Sequence, residues 1–248
     1  MIIDIIADSE EIMLIFGLQK LSLLDYPGKL AATVFTGGCN LRCPFCHNAS
    51  LVTRFSDCER ISDEEVFSFL KKRKGLLDGV CITGGEPLLQ EDLDEFIINV
   101  RAMGFLVKLD TNGAFPEKLN SLIRRSLVDY VAMDIKNSFD NYPLTAGVPD
   151  FDSSPVIESV KLLLQGKVPY EFRTTLVNPL HTEEDIVKIG VAVSGAENYY
   201  LQNFEDSGDL VGFGENMSDT QLKGFSAGEM EHFRGILSQY AQNVAVRN

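Results

Sequence analysis

The chain has no tryptophan, only three histidines and few basic residues for its length. Among its 248 residues, 22 are Lys or Arg and 36 are Asp or Glu, which gives a formal net charge of −14. A surface this acidic repels nucleic-acid backbones and anionic membranes, so we expect neither as a main partner. The one short basic run, KKRKG at 71–75, is interpreted as a solvated helix end.

Long apolar runs are missing as well. The stretch at 1–16 is apolar but interrupted by Asp4, Asp8, Glu10 and Glu11, and it lacks the basic start of a secretory signal. No run approaches the roughly 20 apolar residues that a membrane-spanning helix needs. The chain has five cysteines, an odd number, and three of them are clustered. This pattern fits a reducing compartment better than a disulfide framework. We therefore expect a cytoplasmic protein without a membrane partner.

Short β-rich runs alternate with longer runs of helical pattern along most of the chain. The predicted strands cover 29–36, 79–85, 105–113, 129–136, 171–177 and 198–204. The predicted helices cover 62–74, 91–104, 116–126, 154–166, 182–195 and 226–241. This repeated alternation of strand and helix predicts a parallel sheet with helical crossovers.

The positions of the polar residues distinguish between two α/β folds. A doubly wound open sheet concentrates its site at one switch point, whereas a barrel collects residues from many strand ends. Polar residues follow nearly every predicted strand, so we prefer a partial (β/α)6 barrel. Residues 1–15 are assigned to an N-terminal extension and 16–248 to the barrel domain. The Gly- and Asp-rich run 205–219 is either a plain surface loop or a lid that faces the substrate.

Cys39, Cys43 and Cys46 follow the first predicted strand with the spacing C-x3-C-x2-C. Zinc with His47 as a fourth ligand is one interpretation, but zinc sites usually combine two separated pairs of ligands. Three thiolates in one loop fit an iron–sulfur cluster better, because a cubane then keeps one iron without a protein ligand. An open coordination position is typical of a reactive metal centre.

The sequence around these cysteines resembles a known family. The motif, with Phe45 before its last cysteine, resembles the signature of the radical S-adenosylmethionine enzymes. The His-Asn pair at 47–48 and the longer stretch LSLLDYPGKLAATVFTGGCNLRCPFCHNASLV resemble the glycyl-radical-enzyme activases. Within these, the chain is most similar to the activating proteins of anaerobic ribonucleoside-triphosphate reductase, which are relatives of pyruvate formate-lyase activating enzyme. The resemblance runs from about Phe16 through the sixth predicted strand.

The resemblance implies a barrel of the radical S-adenosylmethionine type that binds two cofactors. The three cysteines would hold a 4Fe–4S cluster, and S-adenosylmethionine would chelate the fourth iron through its amino and carboxylate groups. One-electron reduction would cleave the sulfonium C–S bond, giving methionine and a 5′-deoxyadenosyl radical that takes a hydrogen atom from a glycine of a partner enzyme. Cys58 and Cys81 are too few for a further cluster, so we expect one.

The resemblance also implies two protein partners. The first is a glycyl-radical enzyme, with anaerobic ribonucleotide reductase as the preferred candidate. The second is an electron donor, flavodoxin or ferredoxin. Two other functions stay open: a radical enzyme that acts on a small molecule, and a non-catalytic metal-binding scaffold. The scaffold is disfavoured because the predicted cofactor contacts accompany the cysteines.

By the same resemblance, the ends of the later strands contact S-adenosylmethionine. The Gly-Gly-Glu stretch at 84–86 would contact its amino group, and Lys136 would pair with its carboxylate. A monovalent cation would lie beside that carboxylate, bound by Asp110, Thr111 and Asp134. The full set of predicted cofactor contacts is Phe45, Gly84, Gly85, Glu86, Asp110, Asn112, Lys136 and Arg173.

Two of the later positions are less determined by sequence. Arg173 lies on the predicted fifth strand and either contacts the cofactor or forms an internal ion pair with Glu171, which faces the same side of the strand. At the end of the sixth strand, pyruvate formate-lyase activating enzyme has a histidine that touches the cofactor. This chain has Gln202 and Asn203 there instead.

Overall fold

The structure is a computed structural model that describes residues 13–206, 208, 210–212 and 221–247. Most of the predicted N-terminal extension and much of the predicted loop 205–219 lie outside these residues. The strands are β1 (Ile15–Ser22), β2 (Ala31–Thr36), β3 (Gly79–Gly84), β4 (Leu106–Thr111), β5 (Tyr130–Asp134), β6 (Tyr170–Leu176), β7 (Asn198–Asn203) and β8 (Asn243–Arg247). The helices are α1 (Ala49–Thr53), α2 (Asp63–Arg73), α3 (Leu93–Ala102), α4 (Pro116–Arg124), α5 (Tyr142–Ala146), α6 (Ser154–Leu163), α7 (Glu183–Ala192) and α8 (Ala227–Leu237).

The eight strands form one sheet in the order in which they occur along the chain. The strands from β2 to β8 run parallel, and β1 pairs antiparallel with β2. All six predicted strands are confirmed, with ends within two residues of the predicted ones, and each predicted helix is present. Sequential parallel strands joined by helices are the arrangement that a barrel of βα units requires.

Two strands were missing from the sequence-based prediction, and both lie at an end of the sheet. β1 has irregular pairing with β2, so its apolar residues do not alternate regularly. β8 is a short strand after the last helix. Among the described residues, neither strand pairs with a further strand on its outer side, so the sheet order does not close on itself.

The boundary proposed at residue 15 stays a prediction. Ile15 begins β1, and both Met13 and Ile15 are buried in the core. The described residues therefore show that the strand and the core already include this part of the chain.

Several helices begin as their sequences indicate. Ser62 and Glu65 form a reciprocal capping box at the start of α2. Thr182 forms the same arrangement at the start of α7, with Asp185 as its partner. In the described part of the chain, no helix is long and apolar enough to cross a membrane.

The two faces of the sheet differ in composition because side chains alternate along each strand. Val34, Ile82, Leu109 and Val131 are neighbours in register and form a buried apolar row. The adjacent row consists of Thr33, Cys81, Lys108 and Tyr130. The face of the sheet that carries this second row also carries polar residues at the carboxyl ends of the strands.

Candidate functional site

A cavity of about 280 Å³ lies at the carboxyl ends of the parallel strands. Its walls come from the loop at 37–48, which we call the cysteine loop, and from the ends of β3 to β7. All predicted site residues except Glu86 line it: Cys39, Cys43, Phe45, Cys46, Gly84, Gly85, Asp110, Thr111, Asn112, Asp134, Lys136 and Arg173. The structure thus brings together residues that are more than 130 positions apart in the sequence.

The cysteine loop is held by its own backbone and by α5. The backbone N–H of Cys46 donates to the carbonyl oxygen of Cys43 at 3.0 Å, and that of Arg42 donates to Ala146 in α5 at 2.8 Å. The Arg42 side chain bends back and donates to the carbonyl oxygen of Cys39 at 2.6 Å. The backbone N–H of Leu41 points to the Cys39 sulfur, with the nitrogen at 3.4 Å. The loop therefore presents its thiols on a fixed backbone with a donor aimed at one sulfur.

The thiols lie where an uncompensated thiolate is unfavourable. Burial raises the pKa of Cys39 to about 11 and the pKa of Cys43 to about 12. A metal-bound thiol loses its proton because the positive charge of the metal replaces the missing solvation. Three thiols with a backbone donor on one wall are a donor set that fits an iron–sulfur cluster.

His47, the fourth ligand of the zinc interpretation, lines the same cavity and already has a partner at one ring nitrogen. Its Nε2 lies 2.8 Å from the carbonyl oxygen of Glu205, and its ring stacks on Phe204 at 5.6 Å between centroids. Within the described residues, no three His, Cys, Asp or Glu side chains converge on a position for a single metal ion. The contacts of His47 thus give no support to a zinc site that uses it as the fourth ligand.

The Gly-Gly pair at 84–85 has a packing role. A Cβ at Gly85 would lie 1.9 Å from the carbonyl oxygen of Gly38, and one at Gly84 would lie 2.4 Å from the backbone nitrogen of Thr36. Gly84 also has a φ of +110°, which favours glycine. The two glycines thus let the cysteine loop pass against the end of β3, in addition to forming part of the cavity wall.

Glu86 lies beneath the cavity wall, whereas the sequence predicted a carboxylate that faces the ligand. It is fully buried, and its two oxygens accept from the backbone N–H groups of Leu88 and Asn112 and from the hydroxyl of Thr111. These bonds join the loop after β3 to the end of β4. Burial raises the pKa of Glu86 to about 7, although the three donors oppose that shift.

Asn112 connects this junction to the cysteine loop. Its Nδ2 donates to Asn40 at 2.8 Å and lies 3.8 Å from the Cys39 sulfur. Its Oδ1 accepts from the backbone N–H of Ala114 at 3.0 Å, which fixes the amide in this orientation. A donor near a thiolate sulfur is one of the features by which a protein tunes an iron–sulfur cluster.

Five charged side chains on β4, on β6 and at the end of β5 form a continuous series that we call the charge ladder. Lys108 contacts Asp110 Oδ1, and Arg173 Nη1 contacts Asp110 Oδ2 at 3.1 Å. Arg173 Nε donates to Asp134 Oδ1 at 2.8 Å, and Lys136 Nζ contacts Asp134 Oδ2 at 2.9 Å. The signs of the charges alternate, and the Lys136 end lines the cavity.

The ladder favours the ionised forms of Asp110, Asp134 and Lys136 inside the protein. Burial opposes ionisation, but the neighbouring cations hold the pKa of Asp110 and of Asp134 below the usual range. Likewise, Asp134 holds the pKa of Lys136 above its usual range despite burial. The cavity therefore presents permanently charged groups at neutral pH.

Arg173 belongs to this ladder and forms no hydrogen bond with Glu171. Glu171 instead accepts from Arg247 of β8 at 2.8 and 3.0 Å and from the hydroxyl of Tyr130 at 3.0 Å. The internal ion pair with Glu171 was therefore the wrong alternative, because a residue from the unpredicted strand β8 takes that partner.

The structure adds residues that the sequence-based prediction left out. Thr83, Thr175 and Gln202 line the cavity, and Lys108 lies at the buried end of the ladder. A lysine inside a parallel strand, where both faces are normally apolar, is a signal that would have found Lys108. Asn203 turns away and binds the backbone of Phe225 through both ends of its amide, at 2.8 Å each.

Comparison with known proteins agrees with this geometry. The family model described as the radical SAM superfamily matches residues 33–190, which is more than half of the chain. This chain belongs to the radical SAM superfamily. It is accordingly an enzyme of that superfamily, with a 4Fe–4S cluster and S-adenosylmethionine as its cofactors.

The chain is similar to proteins of known name over most of its length. It is 32% identical over 241 residues to a protein of Methanocaldococcus jannaschii named as a glycyl-radical enzyme activating enzyme, covering 94% of this chain and 95% of the relative. It is 32% identical over 191 residues to the pyruvate formate-lyase-activating enzyme of Listeria monocytogenes, covering 71% and 73%. The crystal structure of Streptococcus suis SuiB bound to S-adenosylmethionine shares the fold, with a TM-score of 0.62 and 14% identity over 85% of this chain and 48% of that one.

Proposed function

We propose that this protein installs a glycyl radical on a partner enzyme, and that the partner is an anaerobic ribonucleotide reductase. The observation that carries the proposal is a cavity with one wall built from three cysteines, of which Cys43 is buried and the other two are partly exposed, and a second wall built from the charge ladder. The 32% identity to an archaeal protein named as a glycyl-radical enzyme activating enzyme supports the reaction class. The partner is proposed from the resemblance of the sequence at 21–52 to the reductase activases.

We assign the two walls different roles in binding the two cofactors. When bound, the cluster and S-adenosylmethionine supply the one-electron cleavage of a sulfonium C–S bond and a carbon radical that takes a hydrogen atom. Cys39, Cys43 and Cys46 would hold the cluster. Lys136 would bind the carboxylate of S-adenosylmethionine, since it is the end of the ladder that lines the cavity.

Further residues of the chain would shape and dry the site. Phe45 is buried and packs edge-on against the ring of His181 at 6.4 Å between centroids, which makes one side of the cavity apolar. Asn112 would orient the Cys39 sulfur through its amide. Excluding water in this way protects a reactive carbon radical from stray hydrogen donors.

The open order of the sheet supports a protein substrate. Within the described residues, β1 and β8 are the ends of the sheet and do not pair with each other. A loop that carries a glycine could approach the cavity from that side, whereas a closed barrel would leave only its mouth. We also propose flavodoxin or ferredoxin as the electron donor, and a cytoplasmic location, for which the five unpaired cysteines are the support.

The test is to incubate the reconstituted protein with S-adenosylmethionine, a reductant and a purified anaerobic ribonucleotide reductase, and to record the electron spin resonance spectrum. We expect a glycyl radical doublet that requires S-adenosylmethionine and disappears when the radical-bearing glycine of the reductase is replaced by alanine. Pyruvate formate-lyase serves as the comparison partner. A doublet on pyruvate formate-lyase alone would retain the reaction and overturn the choice of partner.

Two other results would overturn the reaction itself. If no glycyl-radical enzyme gives a doublet while a small molecule is turned over, the protein is a radical enzyme of a different substrate class. If the iron-loaded protein cleaves no S-adenosylmethionine under any reductant, it is a metal-binding scaffold.

A further inference from the structure

The charge ladder uses every oxygen of its two carboxylates. Asp110 contacts Lys108 with one oxygen and Arg173 with the other, and Asp134 contacts Arg173 with one and Lys136 with the other. An added cation at this position would have to share or displace one of these contacts. The ladder thus already has protein cations where a monovalent ion was predicted from the sequence.

Thr111, the third predicted ligand of that ion, is engaged as well. Its hydroxyl donates to Glu86 at 2.8 Å and accepts from the backbone N–H of Gly113 at 3.1 Å. Binding an ion through this oxygen would compete with the junction that holds the ends of β3 and β4 together. The three predicted ligands therefore fit hydrogen-bonded and ion-paired roles better than coordination of a free ion.

The sum of charges in the ladder depends on Lys108. Three cations and two anions give the ladder a net charge of +1. Without Lys108 the remaining four groups would be neutral, and the cavity would lose the excess positive charge that favours a carboxylate ligand. Lys108 itself is 1% exposed and does not line the cavity, so it acts on the ligand through Asp110 and Arg173.

The surroundings of Lys108 shield its side chain from solvent. Its ammonium group lies 3.8 Å from the sulfur of Cys81, which is fully buried on the neighbouring strand. A lysine buried at this depth stays charged only when an anion compensates for its lost solvation. The contact with Asp110 supplies that compensation, so the lysine and the ladder stabilise each other.

We propose that Lys108 is the built-in cation of this site, a positioning residue whose ammonium group takes the place of an added monovalent ion. Recognition of the carboxylate of S-adenosylmethionine at Lys136 then needs no ion from solution. The inference rests on the proposed role of the cavity in binding S-adenosylmethionine, but not on the glycyl radical or on the identity of the partner.

The first experiment measures the affinity of the cluster-loaded protein for S-adenosylmethionine in potassium chloride and in tetramethylammonium chloride of equal ionic strength. We expect the wild-type affinity to be the same in both salts within about twofold. We expect Lys108→Ala to bind roughly tenfold more weakly in tetramethylammonium, because the ladder loses its excess charge, and to recover in potassium, which fits the space that the side chain leaves. Lys188→Ala removes one exposed lysine that pairs with Asp140 and serves as the control, with no change expected.

A second variant separates the charge from the packing of the lysine. The double substitution Lys108→Met with Asp110→Asn removes one cation and one anion, so the ladder keeps its net charge of +1. We expect it to recover most of the affinity that Lys108→Ala loses, in either salt. A role of Lys108 in packing alone predicts no difference between the salts for any variant.

A third measurement needs neither cofactor. The melting temperature of the cluster-free Lys108→Ala protein should be higher in potassium than in tetramethylammonium, whereas that of the wild type should not differ. This result can stand even if the protein activates no partner, so failure of the proposed function is distinguishable from failure of the inference. A wild-type affinity that falls more than about fivefold when potassium is removed would overturn the inference in favour of an added ion.

Discussion

The two walls of the cavity bind by different physical means. The cysteine wall consists of three thiols on one loop, and glycines leave the space that lets this loop lie against neighbouring backbone. The charge wall consists of ion-paired side chains on neighbouring strands. We therefore expect the cysteine wall to bind through its thiols on a fixed backbone, and the charge wall to bind through a balance of charges.

We expect the two walls to control different properties of the protein. Changes in the cysteine wall should alter the iron content of the protein. Changes in the charge wall should alter the affinity for S-adenosylmethionine while the iron content stays constant. Substitutions in either wall test whether iron content and affinity for S-adenosylmethionine change independently.

Replacing a cluster ligand should have the largest effect. Cys43→Ala removes a buried thiol, and we expect the release of 5′-deoxyadenosine to fall at least about 1,000-fold because one ligand of the cluster is lost. Iron and sulfide analysis with product chromatography measures both properties. Cys58→Ala, at a cysteine that does not line the cavity, is the matched control and should keep wild-type iron content. Equal iron in both variants would contradict the assignment.

Gly85→Ala should damage the cysteine wall without removing a ligand. The new Cβ would lie 1.9 Å from the carbonyl oxygen of Gly38, so the loop must move or the protein must distort. We expect a loss of about 3 kcal/mol in the free energy of unfolding, measured by denaturant titration of the cluster-free protein, together with reduced iron incorporation. Gly228→Ala, at a helical glycine where nothing lies within 4 Å of the new Cβ, is the control. Full iron incorporation in Gly85→Ala would show that the close approach of Gly85 to Gly38 is not required for iron binding.

Glu86→Gln should reveal the titration of a buried acid between the walls. Its folded pKa of about 7 lies above the ordinary value of 4.5, so the protonated form is favoured by folding. The stability that this preference contributes is present below pH 4.5 and is lost as the pH rises through about 7. We therefore expect the wild type to lose roughly 3 kcal/mol relative to Glu86→Gln over that range. A constant difference between the two proteins from pH 4.5 to 8 would show that Glu86 does not titrate there.

Lys136→Met should affect the charge wall alone. It removes one of the two ladder cations that line the cavity, the other being Arg173, and leaves one oxygen of Asp134 without its partner. We expect the affinity for S-adenosylmethionine to fall roughly 30-fold, or about 2 kcal/mol, with unchanged iron content. Equilibrium binding to the iron-loaded protein measures this. A loss of iron of the same size would mean that the two walls are not independent.

The sequence predicted the strands well because their apolar and β-branched runs are separated by clear helical patterns. It also located most of the cavity wall, since polar residues at the ends of parallel strands converge at one edge of the sheet. Asp110 and Asp134 were assigned through the family resemblance and Arg173 was left between two alternatives, and the convergence of the strand ends agrees with all three positions. Their spatial order along the ladder was not predictable, because it depends on which strands are neighbours and on the register between them.

Some side chains lie elsewhere, or have other partners, than the sequence suggested, and this too has physical reasons. Glu86 follows two cavity-lining glycines, yet its side chain turns into the junction with β4, where three donors need an acceptor. Glu171 pairs with Arg247 because β8, too short to be predicted, completes the sheet beside β7. Lys108 was overlooked although the signal was present: a lysine lies inside a buried strand, and Asp110 two residues later faces the same side.

The most direct test of the account is anaerobic reconstitution with iron and sulfide, followed by reduction in the presence of S-adenosylmethionine. We expect about four irons per chain, as one cubane requires, and the release of 5′-deoxyadenosine and methionine in equal amounts. Stoichiometric zinc without a brown chromophore, or a fully iron-loaded protein that releases no 5′-deoxyadenosine, would contradict it.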